Sequence, residues 1–356
     1  MKILHTEWSI GWGGQEIRTY SEIKYLKEKI DFVVAVRDNS ILGEKVEKLG
    51  VKVYKLPFKG NLDITTLFSL VKIIKNEKID IINTHSGKDT WVGGLAGKIA
   101  GIKFIRTRHL ANRINPSRLN FINEIADFVI TTGNKVKEDM LKFNRIKPNK
   151  IESIPTGVDE EIFDPSKYDR NVERNKLNIN SDQIAIGVLG VLRRVKRHND
   201  FIKAAKILNE KYDNLKFFIA GDGPLKEQLI DFAKQENISI NFLGHIDNVA
   251  NYLSALDIFV NSSESEGVPQ AVIQALMMNK AVVATDVGST KDLYNNNFLL
   301  ALPKNPDNLA ENIEKLIVDL NLRKELSLKA RNSVINEFSI KAMKNKLMSV
   351  YERVLK

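Results

Sequence analysis

The residues best suited to chemistry gather in a few short stretches. Arg193-Arg194-Val195-Lys196-Arg197-His198 sets four cations and a histidine just after an apolar run that ends at Gly190. Cations held at a strand end can clamp a diphosphate, one or two of them forming charge-assisted hydrogen bonds to its oxygens. The plain alternative is a solvated basic turn, and the placement after Gly190 favours the functional reading. A second stretch is Ser262-Ser263-Glu264-Ser265-Glu266-Gly267-Val268-Pro269-Gln270. A carboxylate just before a helix N terminus can accept two hydroxyls while the next amides hold oxygen atoms nearby. Gln274 follows Glu266 by eight residues, about two helical turns, within reach of a ribose. Alternatively, Glu264 or Glu266 caps the helix and Gln274 is a surface residue; spacing leaves both readings open.

Gly13-Gly14 precedes a helical pattern and offers free N–H groups to an anion. The spacing does not give the Gly-x-Gly-x-x-Gly fingerprint, which counts against a nicotinamide-dependent dehydrogenase. No Asp-x-Asp stands on a strand-ending loop. The five histidines are His5, His85, His109, His198 and His245, and no two sit three or four residues apart in a helix. A helix-borne metal pair is therefore not expected. His85 and His109 each follow an apolar run.

Those loops need a frame. The first half alternates short apolar runs with helical patterns. Runs begin at Lys2–His5 and Phe32–Val36 and continue at residues 51–56, 79–83, 104–107, 128–132 and 151–154. Continuous apolar runs suit strands buried on both faces of a parallel sheet. The first helix is expected to bury Ile17, Tyr20, Ile23 and Leu26. A polar break over residues 155–182 reads as an interdomain linker. The alternation then restarts at Ile184–Leu189, and the tail from Pro306 is helical. The expected organisation is α/β, with a doubly wound domain over residues 1–160, a linker over 161–182, a second doubly wound domain over 183–336 and a final helix over 337–356. In such sheets ligands bind beyond the carboxyl ends of the strands, where the loops above lie.

Composition narrows the function. The 356 residues carry 43% hydrophobic and 28% charged residues and no cysteine, so disulfide and thiolate chemistry are excluded. No window reaches the ~20 apolar residues of a membrane span, and the first residues do not read as a secretory signal. A cytoplasmic location is expected, with peripheral attachment to the inner face of the cell membrane as an option. The net charge is +10. Residues 101–150 hold eleven Lys and Arg against four Asp and Glu, which suits a phosphorylated or lipid-linked partner at an anionic surface as well as a plain solvated face. Without interleaved aromatics, nucleic acid is not expected as a partner.

The ordered set of motifs resembles the retaining glycosyltransferases of family 4, with the GT-B fold, which build lipopolysaccharide, capsule and other glycans. The resemblance is carried by Gly13-Gly14-Gln15-Glu16, Thr107–His109, Ile154-Pro155-Thr156-Gly157-Val158-Asp159, Gly221-Asp222-Gly223-Pro224, Phe242-Leu243-Gly244, Ser265-Glu266-Gly267 and Ala284-Thr285-Asp286-Val287-Gly288. It implies two Rossmann-like domains facing a cleft, with a last helix that crosses back to the first. It implies a nucleoside-diphosphate sugar donor, a glycan or lipid-linked acceptor, and neither a metal nor a cofactor. By the same resemblance Lys196 with Arg193 or Arg194 neutralises the diphosphate, and Gly13 and Gly14 approach it from the first domain. Gly223, His245 and Ile246 line the base pocket. Glu266 and the amides of Gly267, Val268, Pro269 and Gln270 hold the sugar; Pro269, lacking an N–H, adds only its backbone. Gln274 meets the ribose, and His109 faces the sugar. Glu16, His85, Asp89 and Arg113 are expected to meet the acceptor.

Three departures stand out. Val191 occupies the usual place of the diphosphate arginine, Arg197 replaces a glycine after the lysine, and Gln274 replaces a second glutamate. A nucleotide-sugar epimerase and a degenerate, non-catalytic binding protein are the rival readings.

Overall fold

The computed structural model describes residues 1–109 and 121–356. The chain divides into two compact units, residues 1–157 with 340–356, and residues 158–339.

The first unit contains β1 (Lys2–Glu7), α1 (Gly14–Leu26), β2 (Asp31–Val36), α2 (Ile41–Glu47), β3 (Lys52–Lys55), α3 (Ile64–Glu77), β4 (Ile81–Thr84), α4 (Gly87–Ala100), β5 (Lys103–Arg108), β6 (Phe128–Thr131), α5 (Asn134–Phe143) and β7 (Ile151–Ser153). Its seven strands are parallel in the order β3-β2-β1-β4-β5-β6-β7. The apolar runs are buried on both faces, as a parallel sheet covered by helices requires. Ile3, Phe32, Val34, Ile81 and Ile105 face one layer, and Leu4, Val33, Ile82 and Phe104 the other.

The second unit contains α6 (Arg170–Lys176), β8 (Ile184–Leu189), α7 (His198–Asn209), β9 (Leu215–Ala220), α8 (Lys226–Gln235), β10 (Ile240–Gly244), α9 (Val249–Ala255), β11 (Ile258–Asn261), α10 (Gln270–Met277), β12 (Ala281–Thr285), β13 (Leu299–Ala301), α11 (Pro306–Val318) and α12 (Leu320–Phe338). Its six parallel strands run β10-β9-β8-β11-β12-β13. The final helix, α13 (Ile340–Leu355), belongs to the first unit. Its buried residues Ile340, Met343, Leu347, Val350, Tyr351 and Val354 recur every three or four positions and join the layer under β1 and β2.

Two sequence expectations change. Residues 161–182 are part of the second unit, since their apolar and charged groups find partners there. Phe163 and Ile179 enter its core. Arg174 and Arg170 pair with Asp257 at 2.9 Å and 2.7 Å. The buried face of α1 also differs from its apolar pattern. Ile17 is 40% exposed, whereas Arg18, Thr19 and Glu22 are buried with Ile23 and Leu26. Polar partners on neighbouring elements make that burial possible.

Candidate functional site

Each sheet reverses its strand order once, between β1 and β4 in the first unit and between β8 and β11 in the second. Loops leaving the strands on either side of such a reversal part and leave a crevice for a ligand.

In the second unit the loops after β8 and β11 bring the two stretches singled out by sequence into contact. Lys196 Nζ donates to Glu266 Oε1 at 2.7 Å. Ser263 Oγ at 2.6 Å and Asn261 Nδ2 at 3.3 Å donate to the same oxygen. All three bonds converge on Oε1, so Oε2 keeps acceptor capacity. The backbone locks the loops together, with Glu264 N donating to Val195 O at 2.9 Å and Ser262 Oγ to Lys196 O at 3.0 Å. Gly288 has a left-handed φ of 54°. A Cβ there would collide with the Glu266 carbonyl oxygen, so glycine is needed for the Glu266 loop to lie where it does. A Cβ at Gly223 would come within 2.7 Å of Leu192 N and O, which holds that glycine against the loop after β8.

The cations divide by role. Arg197 takes a left-handed φ of 52°, the conformation for which glycine is better suited. Its guanidinium bonds both oxygens of Asp200 at 2.9 Å and 2.8 Å. Arg193 and Arg194 are exposed and form no ion pair among the described residues, so their charges remain open to an anion. His198 is buried beside Lys196; burial first, then that ammonium, lowers it to about 4. Val191 is exposed.

Neither glutamate caps α10. Its N-cap is Pro269, which makes no side-chain cap hydrogen bond. Glu266 also lies ahead of the helix, separated by Gly267–Pro269, so the two-turn spacing to Gln274 does not hold. Gln274 sits half-buried on α10. Gly267 and Val268 are half-buried, and the Gly267 carbonyl accepts from Ser289 N at 3.1 Å. The His245 side chain is 77% exposed, 3.4 Å from Asp247. Ile246 packs on the core below it.

The first unit holds a cleft of about 760 Å³ lined by Gly13, Gly14, Glu16, His85, Lys88 and Arg108, with Trp8 and Trp91 among its walls. Gly13 begins α1 with its amide bonded to Glu16 Oε2 at 2.8 Å, so that carboxylate is already engaged at the cleft edge. Asp89 is wholly buried. It accepts from Thr6 Oγ1 at 2.8 Å, His85 N at 2.9 Å and Ser86 N at 2.7 Å, which shapes the loop after β4 and removes it from ligand contact. Arg113 lies outside the described residues. His85 and His109 are joined. His5 Nδ1 lies 2.7 Å from His85 Nε2, and His85 Nδ1 lies 2.9 Å from His109 Nε2. The three rings cross the sheet at adjacent strands β1, β4 and β5. Burial lowers the pKa of all three, so they are neutral.

Sequence reasoning missed several groups here. Trp8 carries the Lys88 ammonium 3.8 Å above its ring centroid. Glu7 is buried at the end of β1; burial, reinforced by Asp89, pushes it up to about 8. Arg106 is buried and donates to Thr84 O at 3.1 Å. Glu7 closes the first strand and Trp8 follows it directly, and that position was the signal available.

Two doubly wound units, each with its polar groups at the reversal of strand order, define a GT-B protein. The family model for Glycosyltransferase Family 4 matches residues 12–162, and the model for Glycosyl transferases group 1 matches residues 169–333. The chain belongs to family 4 of the glycosyltransferases. It is 28% identical over 309 residues to the UDP-Gal:alpha-D-GlcNAc-diphosphoundecaprenol alpha-1,3-galactosyltransferase of Escherichia coli, covering 81% of this chain and 79% of that one. It is 26% identical over 361 residues to the N,N'-diacetylbacillosaminyl-diphospho-undecaprenol alpha-1,3-N-acetylgalactosaminyltransferase of Campylobacter jejuni, covering 94% of each. A glycosyltransferase crystal structure from Rickettsia africae superposes with a TM-score of 0.90 at 24% identity, over 100% of this chain and 98% of that one.

Proposed function

We propose that this glycosyltransferase transfers a hexosyl group from a uridine diphosphate sugar, with retention of configuration and without a metal ion, to a lipid-linked diphosphate sugar at an anionic membrane face. The observation that carries the reading is the Lys196–Glu266 pair at the strand reversal of the second unit. As the donor bond breaks, negative charge grows on the leaving diphosphate, and fixed cations stabilise it without reorganisation. Lys196, with the unpaired Arg193 or Arg194, supplies those cations. Glu266 Oε2 accepts sugar hydroxyls, and the N-terminal end of α10 with the backbone of Gly267, Val268, Pro269 and Gln270 lies beside the neighbouring oxygens. Gly223, His245 and Ile246 border the base, and Gln274 the ribose. Gly14 offers its N–H to a phosphate, while the Gly13 N–H is held by Glu16 Oε2.

The acceptor belongs to the first unit's cleft. Trp91 offers an apolar ring face to a sugar, and Lys88, seated over the Trp8 ring, and Arg108 offer charge to a diphosphate. Glu16 and His85 stand at its wall, and His109 faces the transferred sugar. The chemical class of the acceptor agrees with the names of the Escherichia coli and Campylobacter jejuni relatives. Among the described residues no helix is long and apolar enough to cross a membrane, and the Lys and Arg surplus of residues 101–150 supports attachment through anionic lipid.

The test is a transfer assay with uridine diphosphate galactose, glucose and their N-acetyl derivatives against an N-acetylglucosaminyl diphosphate lipid in excess EDTA. An α-linked product from the α-linked donor is expected. A β-linked product would contradict retention, and loss of turnover in EDTA restored by Mg²⁺ would contradict metal independence. Sedimentation with anionic vesicles at low salt, reversed by raising the salt, is the expected membrane behaviour.

A further inference from the structure

The histidine chain of the first unit does not stop at His5. His5 Nε2 faces Glu22 Oε1 at 3.5 Å. Glu22, on α1, accepts a hydrogen bond from Tyr351 on α13. The guanidinium of Arg18 lies close enough to interact with Glu22 as its counter-charge. Thus a carboxylate stands at one end of the chain and His109 at the other. The two end nitrogens, His5 Nε2 and His109 Nδ1, are both buried and have no hydrogen-bond partner among the described residues, and only His5 Nε2 faces a carboxylate.

Counting protons fixes what this arrangement can do. Three neutral imidazoles carry three N–H groups. Two are consumed in the two ring-to-ring hydrogen bonds. The third must sit at one end, either on His5 Nε2 or on His109 Nδ1. A central His85 donating from both nitrogens would be a cation, so with neutral rings the chain runs in one direction only. The carboxylate of Glu22 beside His5 Nε2 favours the proton there. His85 then donates through Nε2 to His5, and His109 donates through Nε2 to His85. His109 is left with a bare Nδ1 lone pair.

We infer that Glu22, acting through His5 and His85, is a positioning residue that fixes the tautomer of His109 and presents its unprotonated Nδ1 as acceptor to a hydroxyl of the substrate. The inference rests on the reading of His109 as a substrate contact. A buried acceptor without a donor costs free energy; a hydroxyl arriving at Nδ1 offsets that cost, whereas the opposite tautomer would present a donor and repel the same hydroxyl hydrogen. The titratable and charged groups around the chain are Arg18 and Glu22 from α1, Arg106 and Arg108 from β5, and the neutral hydroxyl of Tyr351 from α13. The cations disfavour a protonated ring, which keeps the count at three.

The experiment is ¹⁵N NMR of histidine-labelled full-length protein, with ring correlations reporting which nitrogen of each imidazole bears the proton, alongside steady-state kinetics. Wild type should show His109 protonated at Nε2. In Glu22→Gln the amide can donate to His5 Nε2, so the chain should reverse and His109 should carry its proton on Nδ1. The kcat should fall about tenfold while nucleoside diphosphate affinity stays unchanged. Glu22→Asp keeps a carboxylate and should restore the wild-type tautomer and most of the rate. If the glutamine variant does not fold, His5→Phe severs the chain, and His109 should then show both tautomers. An unchanged tautomer in Glu22→Gln, or in His5→Phe, overturns the relay. A reversed tautomer with unchanged kcat supports the relay and overturns the substrate contact of His109.

Discussion

Glu266 is held by three donors on one oxygen, and Lys196 is the only cation among them. Removing Lys196 takes away a charge that a diphosphate would use and leaves Glu266 with two neutral donors. Lys196→Ala should therefore weaken nucleoside diphosphate binding by about tenfold to a hundredfold, the worth of one charge-assisted hydrogen bond. A second residue-scale consequence concerns pH. Glu7 keeps its proton in the folded protein up to about 8, against 4.5 as its ordinary value. The folded state then binds more protons than the unfolded chain between those values, so stability must fall as pH rises. The contribution is complete below 4.5 and is lost as pH passes through 8. Wild type should lose stability relative to Glu7→Gln as pH rises from about 5 to 9, measured by urea denaturation at several pH values. The buried histidines act in the other direction. Each is held neutral below its ordinary 6.5, so the unfolded chain takes up protons first, and stability should fall as pH drops below about 6.5.

At the scale of elements, the loops after β8 and β11 are positioned by glycines where backbone approaches backbone. Gly288→Ala costs roughly 1–2 kcal/mol for its left-handed φ alone. Its Cβ must also displace the Glu266 carbonyl. The variant should lose kcat/KM with a donor sugar more than it loses thermal stability, and intact activity would show that the Glu266 loop does not matter. The strand–helix alternation was legible because runs such as Phe32–Val36 and Ile184–Leu189 are apolar throughout, which only a doubly covered sheet explains. The strand β13 was missed because Leu299–Ala301 is too short to show a pattern. The buried face of α1 was misread because Arg18 and Glu22 find partners on residues more than 300 positions away in sequence, Met343 and Tyr351. At the site, the basic run and the Glu266 stretch were legible as candidates, but their mutual bond was not. It depends on two strands becoming neighbours, and spacing along the chain does not encode that. The departure at Arg197 is now accounted for: the position demands a left-handed residue, and the Asp200 pair offsets the strain.

At the scale of the whole molecule, the last helix completes the first unit's core. Leu347 is fully buried on α13. Leu347→Ala should cost about 2–5 kcal/mol of stability, from lost burial and the cavity left behind. Hydrogen exchange should place the loss in the first unit, and protection lost equally in β8 to β13 would contradict the division into units. The family membership, the strand reversal and the Lys196–Glu266 pair converge on one claim, that the second unit holds the donor. The most direct measurement is a calorimetric titration with UDP, and with a UDP-sugar, in the absence of metal, using wild type, Lys196→Ala and Glu266→Ala. The account predicts that UDP binds wild type, that Lys196→Ala weakens UDP, and that Glu266→Ala spares UDP while weakening the UDP-sugar. Equal UDP affinity in wild type and Lys196→Ala, or no UDP binding at all, would contradict it.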